Sequence, residues 1–167
     1  LMKEVLRDLG LDDKTYPPRY VLSIIGRQKD RLISPEQMQE DSRSATDLRI
    51  VQIAKAYGIY QKRLKDNNAL DFDDILYVTV KLLQQEADVL EYYQRKFHYV
   101  LVDEYQDTNH VQYLLTQLLA GKSRNICVVG DDDQSIYRFR GATIENILSF
   151  EEQYPGARVI RLEQNYR

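Results

Sequence analysis

The sequence predicts an α/β protein, a parallel sheet flanked by helices, preceded by an all-helical segment. Three observations carry this. Residues 1 to 68 show helical spacing and no strand pattern. Later come three short β-rich runs, "YVLVD" (99 to 103), "ICVVG" (126 to 130) and "RVIRL" (158 to 162), each apolar on both faces, as strands covered by helices are. The segments between them, "NHVQYLLTQLLAG" and "TIENILSFEEQY", are long enough for the crossover helices that parallel pairing requires.

Taken in order, residues 2 to 9 form a short amphipathic helix ended by Gly10, and "PPRYVLSIIGRQKDRLI" opens with proline at a first-turn position. "SPEQ" at 34 to 37 reads as a helix start, with Ser34 as cap, Pro35 in the first turn and Gln37 reaching back as in a capping box. A longer helix spans Thr46 to Lys65, with Leu48, Val51, Ala54 and Leu64 as its buried stripe and Arg49, Lys55, Lys62, Arg63 and Lys65 over much of the rest. The character changes near Asn67-Asn68. Asp71 is placed to cap a helix through "FDDILYVTVKLLQQ", with Asp73 and Asp74 in the first turn, where the helix dipole favours carboxylates. A further helix covers 88 to 97, and the strands follow.

A chain of 167 residues holds one ordinary core, or one core with a small helical appendage, and not a two-domain machine. Hydrophobic residues at 43% and charged residues at 29% are globular proportions, and no apolar run approaches the ~18 residues of a membrane helix. With no charged-then-apolar leader, the chain reads as cytoplasmic. Its only cysteine, Cys127, is expected to be a small buried hydrophobe, which leaves no disulfide framework or cysteine metal site. Starting at Leu1 in place of methionine, it reads as a fragment. Residues 1 to 65 carry 13 Lys+Arg against 9 Asp+Glu, and residues 66 to 167 carry 10 against 17. That split suggests a basic surface beside an acidic centre, or simply two solvated surfaces.

In an open α/β sheet functional residues gather at the carboxyl edge of the strands. Here that edge collects Asp103, Glu104, Asp131 and Gln134. A strand ending in Asp-Glu is how one carboxylate is presented to Mg²⁺ and a second to the water that attacks a γ-phosphate; such a pair can equally be solvated or cap the next helix. Asp107 suits the capping role, as does Asn109, because both lie where the helix over Val111 to Leu119 begins. In "VVGDDDQSIYRFRGA" (128 to 142), Gln134 is able both to donate to a phosphate oxygen and to orient a water. "YRFR" interleaves aromatic rings with guanidinium groups, as in surfaces that stack bases and hold phosphates. The chain closes on "RLEQNYR", where Arg167 sits just past a strand end.

"LVDEYQDTN", "VVGDDDQSIYRFRGA" and "LEQNYR", in this order and spacing, resemble motifs II, III and IV of the UvrD/PcrA/Rep group of superfamily 1 DNA helicases, and "ALDFDDIL" (69 to 76) is similar to another block of that family. The likeness is dense from residue 69 to the end. Residues 1 to 68 resemble more loosely the helical 1B insertion that sits on the first RecA-like domain, 1A. The resemblance implies a partial RecA-like P-loop NTPase sheet over residues 69 to 167 with a helical 1B-like subdomain over 1 to 68. It implies ATP and Mg²⁺ as cofactors of the complete protein, single-stranded and duplex DNA as partners, and a helicase or translocase activity in repair or replication. Residue by residue, Asp103 would bind Mg²⁺, Glu104 would be the general base, and Gln134 would sense the γ-phosphate. Tyr137 and Phe139 would lie along the single-stranded DNA path, with Arg140 linking that contact to the nucleotide. Tyr166 would stack on the adenine and Arg167 would contact the γ-phosphate. Two positions depart from the family pattern: Phe139 stands where Trp is usual, and Asp132 where a small residue is usual.

The loop GxxxxGK[ST], whose amides cradle phosphates and whose lysine neutralises them, is absent from these residues. Gly121-Lys122-Ser123 lacks the earlier glycine and follows a helix instead of opening one. The chain by itself is therefore expected to bind ATP very weakly and not to unwind DNA, and its incomplete sheet to leave an edge prone to self-association. A non-hydrolysing DNA-binding or interaction module of the same fold is the alternative, and a metal-dependent nuclease using the carboxylates of 103 to 107 and 131 to 133 a more distant one.

Overall fold

The computed structural model describes residues 1–131, 146 and 149–162. Four helices come first: α1 (Met2–Asp8), α2 (Pro18–Asp30), α3 (Pro35–Ser42) and α4 (Leu48–Asp66). They share one core of Met2, Val5, Leu6, Val21, Ile25, Met38, Ile53, Ala54, Ala56, Tyr57, Tyr60 and Leu64. Gly10 follows α1 at φ 68°, a left-handed value that glycine adopts without a Cβ clash. Pro18 sits in the first turn of α2 as expected.

Two details of this region differ from expectation. Ser34 caps α3 by accepting from the Gln37 amide, but the Gln37 side chain turns forward to donate to Asp41 Oδ1 at 2.7 Å, so no reciprocal box forms. On α4 the buried stripe is Ile53, Ala54, Ala56, Tyr57, Tyr60 and Leu64, while Leu48 is 75% exposed. The first turn of α4 overhangs the core, and two tyrosines, apolar for most of their length, take the inward positions.

Next come α5 (Phe72–Gln85) and α6 (Ala87–Lys96), then strand β1 (Val100–Val102), a 3₁₀ turn (Tyr105–Asp107), α7 (His110–Ala120), strand β2 (Ile126–Val128) and a short α8 (Phe150–Gln153). Asp71 caps α5 through a reciprocal box with Asp74. Helix α5 packs on α2 and α7, and α7 also touches α6 and β1. Where α2 meets α5, Gly26 lies against Asp73: a Cβ there would come 2.7 Å from Asp73 Oδ2, the end of a side chain that can turn aside.

Strands β1 and β2 pair in parallel, Val100 opposite Ile126 and Val102 opposite Val128, and α7 supplies the crossover. The sheet described is two-stranded. "RVIRL" was expected as a third strand, but residues 158 to 162 form none; no described neighbour offers it a ladder, and Ile160 and Leu162 lie exposed. Nor are both faces of the pair covered. Val100, Val102, Ile126 and Val128 are half-buried on the α7 side, whereas Leu101 is 76% exposed and Cys127 is exposed beside it. The expectation of a buried Cys127 fails because strand alternation points it away from α7.

Candidate functional site

The carboxyl end of β1 delivers the acidic run. Beyond Val102 the ladder continues irregularly: the Val129 amide donates to the Val102 carbonyl at 2.8 Å and the Tyr105 amide to the Val129 carbonyl at 2.9 Å. Pairing therefore persists past both strand ends and holds Asp103 and Glu104 next to the loop that leaves β2 at Asp131. Both carboxylates are exposed.

Glu104 occupies the left-handed region at φ 51°, ψ 42°. A non-glycine residue there is held at a cost of about 1–3 kcal/mol, and the neighbours show how. Its amide donates to Asp103 Oδ1 at 2.9 Å, its carbonyl accepts from the Asp107 amide at 2.9 Å, and its Oε2 accepts from Gln106 Nε2 at 2.7 Å. The sharp reversal turns the chain into the 3₁₀ turn and leaves both carboxylates exposed at the edge.

Beneath them the turn is packed. Tyr105 is fully buried, edge-on to Phe150 with ring centroids 5.8 Å apart, and burial, with Tyr154 and Tyr113 nearby, pushes its phenol up to about 12. Thr108 Oγ1 donates to the Tyr105 carbonyl, and Asn146 Nδ2 donates to the Thr108 carbonyl at 3.1 Å. Asn109 caps α7 in a reciprocal box with Gln112, and its Nδ2 donates to Asp30 Oδ1 at 2.8 Å, fastening the site to α2. The capping role thus belongs to Asn109, while Asp107 stays exposed in the turn.

Of the residues singled out from sequence, Asp103 and Glu104 are adjacent at the strand end and Asp131 is bridged to Glu104 through Gln106, whose Nε2 donates to Glu104 Oε2 at 2.7 Å and whose Oε1 accepts from the Asp131 amide at 3.0 Å. Asp132, Gln134, Tyr137, Phe139, Arg140, Tyr166 and Arg167 lie outside the described residues. Gln106 was not anticipated. Its signal was a polar residue two positions after Glu104 in a turn that must bury something to anchor itself.

A second polar cluster also went unforeseen. Lys29, 1% exposed, reaches from α2 to Asp71 Oδ2 at 2.6 Å and Asp74 Oδ1 at 2.8 Å, with the Tyr60 ring centroid 5.5 Å from its Nζ. Asp74 is fully buried and also accepts from Gln61 at 2.7 Å. Asp73 and Asp74 stand in the first turn of α5 as expected, and Asp74 in addition pairs with a buried lysine, as a buried charge must be paired.

Among the described residues no three acidic, histidine or cysteine side chains form a metal-holding group. The two exposed carboxylates still suit a Mg²⁺ ion, which is commonly held by one or two carboxylates together with substrate phosphates and waters. No helix among the described residues is long and apolar enough to cross a membrane.

A family model for the UvrD/REP helicase N-terminal domain matches residues 1–155. Over 167 residues, all of this chain and 22% of the relative, the sequence is 50% identical to the ATP-dependent DNA helicase PcrA of Staphylococcus epidermidis strain RP62A. The same identity and coverage hold for the ATP-dependent DNA helicase PcrA of Staphylococcus aureus strain Mu50. The chain therefore spans about a fifth of the length of these curated relatives.

Proposed function

The chain belongs to the UvrD/REP helicase N-terminal domain family, and from that premise we propose that it is part of a cytoplasmic ATP-dependent motor that moves on single-stranded DNA and unwinds duplex, in repair or replication. The observation that carries the reading is the end of β1, where Asp103 and Glu104 stand together on the carboxyl edge beside the end of β2. On this reading residues 1 to 68 are the 1B-like subdomain and 69 to 167 the second half of a RecA-like domain.

Each residue has a distinct task. Asp103 supplies a hard oxygen ligand, and Glu104 accepts the proton of the attacking water, its reversed backbone turning the carboxylate to the edge. Mg²⁺, when bound with ATP, supplies charge neutralisation at the phosphates. Gln134 and Arg167 answer to the γ-phosphate and Tyr166 to the adenine. Tyr137 and Phe139 run along the single strand, Phe139 stacking on a base, and Arg140 ties that contact to the nucleotide.

The test is Glu104→Gln in the complete protein. DNA-stimulated ATP turnover is expected to fall by about 10²- to 10⁴-fold, the range for removing a general base, with single-strand binding retained. Turnover near wild type would sink the reading. The purified 167-residue chain is the control: without a GxxxxGK[ST] run it is expected to show no DNA-stimulated turnover, and turnover there would overturn the need for that loop.

A further inference from the structure

We propose that Gln106 is a positioning residue that sets the carboxylate of Glu104 and makes its alignment depend on the loop leaving β2. The proposal rests on the reading of Glu104 as general base. Gln106 is 1% exposed although both groups it serves lie at an exposed edge. A buried amide is tolerated only when its polar atoms are paired, and here both ends are. The Asp131 amide can only donate, so Gln106 Oε1 must face it at 3.0 Å. That leaves Nε2 for a group that can only accept, the Glu104 carboxylate at 2.7 Å. The orientation of the side chain follows from the chemistry of its two partners.

The consequence is mechanical. Glu104 has three rotatable side-chain bonds and sits exposed, so its backbone conformation alone leaves the carboxylate free to swing. Gln106 restricts that freedom by fixing one oxygen, Oε2. Its other bond goes to a residue 25 positions along the chain, on the neighbouring strand's loop. Asp131 opens the run "DDDQSIYRFR", which carries Gln134 and the aromatic residues assigned to DNA. A displacement of the Asp131 amide is therefore transmitted through one rigid planar group to the base. Coupling of this kind needs only two hydrogen bonds and a side chain too well packed to rotate.

The experiment compares Gln106→Ala and Gln106→Glu with Glu104→Gln in the complete protein, reading kcat, KM for ATP, single-strand affinity and the ratio of turnover with and without single-stranded DNA. For Gln106→Ala, kcat is expected to fall about 10- to 100-fold, the range for groups that orient the residues around a metal. The stimulation ratio is expected to shrink, while KM and single-strand affinity stay unchanged. Gln106→Glu keeps an acceptor for the Asp131 amide but sets a carboxylate against Glu104, so its kcat is expected to fall at least as far. A merely structural Gln106 would lower the melting temperature and move KM and affinity together with kcat, which would overturn the proposal. So would wild-type kcat and stimulation in Gln106→Ala while Glu104→Gln is dead. Wild-type turnover in Glu104→Gln overturns the base reading and, with it, the positioning role, whatever the Gln106 variants do. Should those variants not fold, the side-chain amide protons of Gln106 decide by NMR in the wild-type protein: slow solvent exchange and a shift on Glu104→Gln support the bridge, and free-amide signals overturn it.

Discussion

The helical region and the sheet edge use their apolar residues in opposite ways. Helices α1 to α4 close on themselves: the inward residues of every helix enter one cluster, and the charge buried beside it, Lys29, is matched by Asp71 and Asp74. The edge carrying Asp103 and Glu104 has apolar cover on one side only, and Leu101, Val129, Ile160 and Leu162 lie exposed. The difference teaches where precision resides. The helical region is held by packing; the site stands on the packed Tyr105, but the direction of its polar groups is set by hydrogen bonds along a ladder and through Gln106 and Asn109.

The largest expected effect is at the buried lysine. Lys29→Ala leaves Asp74 buried without its cation and is expected to destabilise the fold by about 3–5 kcal/mol in denaturant melts, the range for breaking one side of a buried ion pair. A loss below about 1 kcal/mol, typical of exposed pairs, would mean that the cluster is as wet as the surface. The same cluster dictates an acid response. Burial alone would raise the Asp71 carboxyl, but hydrogen bonds from Lys29, the Asp74 amide and Tyr60 and the lysine's charge outweigh it and hold it below its ordinary 3.8. The unfolded chain then takes up this proton at higher pH than the folded one. The contribution is complete above pH 3.8 and is lost as pH falls through the lower folded value. Asp71→Asn is expected to remove that acid loss from the pH-stability profile, and an unchanged profile would contradict it.

A smaller effect is expected where the two regions meet. Asn109→Ala removes the α7 cap and its bond to Asp30, and should cost about 0.5–2 kcal/mol. Hydrogen exchange should rise at the start of α7 more than in α4; equal rises would mean that the regions do not move separately. The smallest effect belongs to the uncovered face. Leu101→Ser should change stability by no more than about 0.5 kcal/mol, as exposed substitutions do, yet reduce self-association of the purified chain in light scattering. A clear loss of stability would show that face to be covered in solution.

Much of this was legible from local signals. Ser34, Asp71 and Asn109 cap helices because a short polar side chain before an apolar run satisfies amides that nothing else reaches. The parallel pair β1–β2 followed from two β-branched runs separated by a crossover length of chain. What failed, apart from that pair, were expectations about which neighbour would cover or pair with a residue. Leu48 fits the helical period, but the core ends before reaching it. "RVIRL" has strand composition, but a strand exists only with a partner. Cys127 lies in an apolar run, but alternation sends it to the open face.

The acidic site divides in the same way. Placing Asp103 and Glu104 at a strand end required only the sequence, because side-chain chemistry and strand composition are local properties. The left-handed turn at Glu104, the bridge through Gln106 to Asp131 and the matching of Lys29 by Asp71 and Asp74 were decided by tertiary structure alone. Each joins groups distant in sequence or fixes a backbone angle that Glu104 would not adopt unaided, and only a packed neighbour supplies the free energy to hold such arrangements.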